Sequence, residues 1–230
     1  MKKIILVAGE PKSVNAEIIY KSWKKIGLNL RKKIYFIANY KLLVNQFKSL
    51  NYKIKAKKVE NIDHSENDFF LKILDVNFDY KDLSKLAQKN IDKYIIQSLN
   101  LAHKLALKKN IKGIINCPIN KSHLENKFFG ATEFFASKCS VKDNSEVMLI
   151  KSNKLAVSPI TTHIDVKNIS KKLSAKLIEK KIKTINTNFK ILFKKKPKIA
   201  VLGLNPHNAE FKTASEEKKI ILPSLKKLKK

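Results

Sequence analysis

Apolar positions along this chain switch period repeatedly, and each switch marks an element. A continuous aliphatic run closed by Gly9-Glu10-Pro11 reads as a first strand over Lys3 to Ala8. Val14, Ile18, Ile19 and Trp23 then recur at helical spacing until Gly27 ends that helix. Lys33 to Ala38, with Ile34, Tyr35, Phe36 and Ile37, predicts a second strand; a helix from Tyr40 to Leu50 and a strand from Tyr52 to Ala56 follow. Residues 59–82 are polar and irregular and are expected to form a variable loop. Ile91, Ile95, Leu99, Ala102 and Ala106 mark one face of a long helix that feeds a strand from Gly113 to Asn116. Two further strands are expected at 146–151 and 155–159, across the turn Ser152-Asn153. Ile169, Leu173, Leu177, Ile182, Ile185 and Phe189 set out a second long helix, and Pro197 precedes a strand at 198–202. Thr213 and Glu216 have the spacing of a capping box that opens a last helix. Strands alternating with helices imply an α/β fold with a mostly parallel sheet covered by helices.

Sheets of that kind place ligands beyond the C-terminal ends of their strands. Four segments are expected there: Gly9-Glu10-Pro11, Cys117-Pro118-Ile119-Asn120-Lys121, Thr161-Thr162-His163 and Gly203-Leu204-Asn205-Pro206-His207. Neutral imidazole is the commonest metal ligand, and neighbouring strand-end loops can converge on one ion, so His163 and His207 are candidate ligands. Asp165 is either a third ligand, a group that orients one, or a helix-capping aspartate. No local motif such as H-E-x-x-H is present, so the metal reading depends on the fold. Gly130-Ala131-Thr132-Glu133-Phe134-Phe135 reads as a helix start, where Thr132 either offers its hydroxyl and N–H to a phosphate or simply caps the helix. Lys121 is a weaker anion candidate. Cys117 and Cys139 lack a nearby histidine or a CxxC partner and are read as structural. His64, His103 and His123, in a polar loop, a helix and a helix start, are set aside. With only five glycines, no phosphate-binding glycine loop can be drawn.

The 230 residues allow one large domain or two small ones, and 43% hydrophobic with 30% charged residues is a globular balance. No apolar run is long enough for a transmembrane helix, and Ile4 to Ala8 is too short for a signal peptide. Two cysteines do not make a disulfide scaffold, so a reduced, cytoplasmic setting without a membrane partner is expected. A net charge of +30 invites a nucleic-acid reading. Yet Arg31 is the sole arginine, and the lysines are spread along the chain beside many Asn, Ile and Phe. Bases and phosphates are gripped by the arginine fork. Solvated lysine faces from A/T-rich codons are the simpler account, with no specific nucleic-acid partner. A non-catalytic, polyanion-binding basic protein is the alternative of a different class.

Taken in order, Gly9-Glu10-Pro11, Pro118-Ile119-Asn120-Lys121, Thr132-Glu133-Phe134-Phe135, Thr161-Thr162-His163 and Gly203-Leu204-Asn205-Pro206-His207 with Glu216-Glu217 resemble the 4-hydroxythreonine-4-phosphate dehydrogenase family of pyridoxal phosphate (vitamin B6) biosynthesis. The resemblance implies an α/β/α sandwich like that of isocitrate and isopropylmalate dehydrogenases, in two lobes here placed at 1–115 and 116–230, working as a homodimer. It implies NAD-dependent oxidation of a phosphorylated substrate with decarboxylation, and a divalent metal, zinc first and magnesium or cobalt otherwise, held by three histidines. His163 and His207 match two of these. Thr132, with Ala131 in place of the family's usual histidine, matches the substrate-phosphate position. Family members are longer, and the part beyond this chain carries the third histidine and most of the NAD site, so no cofactor-binding residue is assigned here. A sister enzyme acting on a phosphorylated sugar acid such as phosphothreonate is the near alternative. A chain without the remaining part is expected to expose apolar surface and to lack a complete site.

Overall fold

The structure, a computed structural model, describes residues 2–62, 69–80, 82–83, 85–124, 130–139, 141 and 145–229. It divides into two compact units, Met1–Gly130 and Ala131–Lys230. The sequence reading put the division after residue 115. The stretch that follows stays with the first unit because the Cys117 N–H donates to Val7 O at 2.9 Å and the short turn Lys121–Leu124 packs on the long helix of that unit.

In the first unit, β1 (Lys3–Val7), β2 (Ile34–Ala38), β3 (Ala56–Val59), β4 (Leu71–Asp75) and β5 (Ile111–Asn116) form one sheet in the order β3-β4-β2-β1-β5, with every pairing parallel. All five positions of β2 are buried, as expected of a parallel strand covered on both faces. On one face α1 (Asn15–Lys25) and α3 (Tyr40–Ser49) bring Ile19, Trp23, Leu43 and Phe47 onto Ile34, Phe36, Leu71 and Ile73. The short α2 (Leu28–Arg31) leads into β2. The opposite face receives α4 (Gln88–Ala106), which contacts β1, β2 and β5. The layers are therefore helix, sheet, helix.

Two expectations shift here. The strand read at 52–56 pairs only from Ala56, because its partner begins at Leu71, whose N–H donates to Lys55 O at 2.9 Å. The supposed loop 59–82 contains β4, one of the inner strands. Lys72 hid it by breaking the apolar run. Its side chain is fully buried, donates to Lys32 O at 2.6 Å and lies over the Tyr35 ring.

The second unit has helices α5 (Ala131–Lys138), α6 (Ile169–Lys172), α7 (Ala175–Phe193) and α8 (Leu222–Lys229). Ser174 caps α7 by accepting from Leu177 N at 3.2 Å. Among the described residues its strands are β6 (Ile150–Lys151) and β7 (Ala156–Val157), an antiparallel pair across the expected Ser152 turn. The strand read at 198–202 is irregular and largely exposed, with no strand beside it among the described residues. Helix α8 is opened by Ser215, not Thr213. The Ser215 hydroxyl accepts from Lys218 N at 3.3 Å, and a wide turn over Glu217–Ile221 follows. That wide turn precedes Pro223, whose ring would crowd a regular helical carbonyl one turn back. Leu173, Ile178 and Ile221 make the small core of this unit. No helix among the described residues is long and apolar enough to cross a membrane.

Candidate functional site

Neighbouring parallel strands β1 and β5 bring their following loops together, as the sequence implied. Gly9 has φ +76, and a Cβ there would come within 2.7 Å of Asn15 Nδ2 and 2.8 Å of Pro118 O. Asn15 Nδ2 donates to Pro118 O at 2.9 Å and Gln46 Nε2 to Pro11 O at 2.7 Å, so both loops are tied from below. Glu10 reaches across: its Oε2 accepts from Asn120 N at 3.3 Å, and its Oε1 lies 3.1 Å from His123 Nε2. His123 in turn meets Asp92 Oδ1 of α4 at 2.7 Å. Sequence reasoning missed this cluster. A polar residue in a polar segment carries no sign that the fold will bury it. Cys117 is buried here, and burial pushes its thiol up to about 11, which leaves it protonated and unreactive near neutrality.

The second unit carries Ala131, Thr132, His163 and His207. Ala131 and Thr132 are the first two residues of α5, and Thr132 is exposed at a helix N-terminus with Glu133 behind it. His163 lies between β7 and the turn Val166–Asn168, exposed and with a left-handed φ of 54. Asp165 occupies the cap position of that turn without a side-chain cap bond and sits 3.9 Å from Lys167. His207 is exposed in a tight turn in which Asn205 Oδ1 accepts from both His207 N and Ala209 N at 3.1 Å. Glu217, 2% exposed, accepts from Leu204 N at 2.9 Å and so anchors the Gly203–His207 segment. Its other oxygen has no hydrogen-bond partner among the described residues. Neither imidazole follows a parallel strand, contrary to the expectation for their placement. Among the described residues no three His, Cys, Asp or Glu side chains gather as a metal site.

Residues 29–230 match the family described as "Pyridoxal phosphate biosynthetic protein PdxA". The chain belongs to that family. A 4-hydroxythreonine-4-phosphate dehydrogenase of Sulfurihydrogenibium sp. (strain YO3AOP1) is 31% identical over 237 residues, covering 100% of this chain and 71% of the relative. A D-threonate 4-phosphate dehydrogenase of Salmonella typhimurium is 27% identical over 237 residues, covering 97% of this chain and 70% of the relative. Among solved structures, the 4-hydroxythreonine-4-phosphate dehydrogenase of Klebsiella pneumoniae superposes with a TM-score of 0.85 at 23% identity, over 100% of this chain and 72% of that one. At that identity the superposition speaks for the fold. This PdxA-family chain is thus a member of a dehydrogenase family of pyridoxal phosphate biosynthesis, with the α/β architecture of its relatives and a shorter length.

Proposed function

We propose that this chain serves the NAD-dependent oxidation, with decarboxylation, of 4-phosphohydroxy-L-threonine in vitamin B6 biosynthesis. The observation that supports the reading is kinship over the whole chain with relatives named 4-hydroxythreonine-4-phosphate dehydrogenase. Thr132 is the residue proposed to hold the substrate phosphate, through its hydroxyl and the N–H groups that open α5. Ala131 adds no donor side chain beside it, so the phosphate would rest on fewer groups than an imidazole there would supply. A homodimer in the cytoplasm, with NAD as hydride acceptor, completes the reading.

A divalent metal, zinc or otherwise magnesium or cobalt, is proposed to take His163 and His207 as two of its ligands. Catalytic zinc ordinarily takes three protein ligands. The described residues offer no third beside these two, so by themselves they do not fit a complete site. The remaining ligand has to come from outside them.

The test is NADH formation by the purified native protein from 4-phosphohydroxy-L-threonine, with bound metal measured on the same samples. His163→Ala and His207→Ala are each expected to abolish turnover and to lower metal content. Turnover and metal that survive both substitutions would overturn the assignment. The Salmonella typhimurium relative favours a second reading, oxidation of D-threonate 4-phosphate. Faster turnover of that compound would select it.

A further inference from the structure

His123 is 2% exposed, in the turn Lys121–Leu124 beyond β5. Both ring nitrogens face a carboxylate: Nδ1 lies 2.7 Å from Asp92 Oδ1, and Nε2 lies 3.1 Å from Glu10 Oε1. The Gln88 amide touches Nδ1 as well and donates to the same Asp92 oxygen at 3.0 Å. Toward Asp92 the contact has hydrogen-bond geometry. Toward Glu10 it is a close approach without the alignment of a hydrogen bond, and buried Nε2 has no hydrogen-bond partner among the described residues. The ring thus stands between two acids carried by different elements, α4 and the loop after β1. Through its second oxygen Glu10 holds the Asn120 N–H of the loop after β5. A side chain needed only to fill volume would have no use for this polarity. An apolar replacement would leave both carboxylates facing a side chain with no polar atom to meet either of them.

We propose that His123 is a positioning residue, which acts through Glu10 to fix the Gly9–Pro11 loop against the Asn120–Lys121 loop at the ends of β1 and β5. Ligands of parallel sheets lie beyond those ends. The kinetic consequence rests on the dehydrogenase reading, whereas the loop geometry does not.

Hydrogen exchange of the native full-length chain tests it, read on peptides covering residues 117–124 and, as a control, β2 and α3. His123→Leu is expected to speed exchange of the 117–124 peptide about tenfold, the scale of loosening the one hydrogen bond from Asn120 N to Glu10, and to leave the control peptides unchanged. His123→Gln offers a side-chain amide between the two carboxylates and is expected to restore most of the protection. Glu10→Ala should match His123→Leu, and the double variant should exchange no faster than either alone, since one residue acts through the other. Should His123→Leu not fold, Glu10→Ala against His123→Gln gives the same comparison. Equal exchange in the Leu and Gln variants, additive effects in the double variant, or loosening that spreads equally to β2 and α3 would each overturn the proposal. Turnover should fall with His123→Leu at nearly unchanged melting temperature and recover with His123→Gln. A native protein that oxidises neither phosphorylated substrate would defeat the dehydrogenase reading, and the exchange data would still decide the role of His123.

Discussion

Gly9 has a backbone that only glycine adopts without strain, and it also lacks room for a side chain. Its φ of +76 lies in the left-handed region, and the nearest atoms to a Cβ would be an amide nitrogen and a carbonyl oxygen at 2.7 and 2.8 Å. Gly9→Ala is therefore expected to cost about 2 kcal/mol or more, seen as a lower urea midpoint at unchanged slope. A midpoint equal to the native one would show that the loop relaxes freely. Gly9 was legible in the sequence as the end of a strand, but its partner was not: Asn15 and Pro118 stand 103 positions apart. Separation along the chain likewise hid the meeting of Asp92, Glu10 and His123. Glu217 was visible only as half of an acidic pair, and nothing local said that it would be buried under Leu204. His163 and His207 were picked out by their neighbours in sequence, and the structure adds that both are exposed on the second unit.

At the scale of elements, the seam between α4 and β2 is joined by Tyr94, whose hydroxyl accepts from Asn39 N at 3.0 Å. Burial pushes this phenol up to about 12 from an ordinary value near 10. The fold thus favours the protonated form. Its contribution is fully present below pH 10 and is lost as pH rises from about 10 to 12, because the unfolded chain gives up the proton first. The loss is on the order of 3 kcal/mol. Denaturant midpoints across that window should fall for the native protein. For Tyr94→Phe they should fall less, from a slightly lower starting stability at neutral pH. Parallel slopes for the two proteins would refute this. Elements with a clean period, such as α1, α4 and α7, were readable because burial of one helix face imposes the spacing. Strand β4 was not, since Lys72 finds its partners in Lys32 O and the Tyr35 ring, which no local pattern announces. The run at 198–202 erred the other way. Apolar composition marks a segment as able to pair, and pairing still requires a neighbour.

For the molecule as a whole, 49 basic residues against 19 acidic ones make self-repulsion a global term. Melting temperature is expected to rise by several degrees from low to physiological ionic strength as the charges are screened. A flat response would mean that the lysines are too dispersed to repel measurably. The order β3-β4-β2-β1-β5 has a consequence for synthesis. β1 and β2 emerge from the ribosome early and can pair at once. β3 emerges next, yet its neighbour is β4, which is made after it and must slot in beside β2. A nascent chain that stops short of Leu71 therefore holds a two-stranded stub with the edge of β2 open and a third strand with nothing to dock on. The other side of β1 stays vacant until Asn116 has been made. A translational pause between α3 and β4 is where this chain has the most to gain from a chaperone at the tunnel exit.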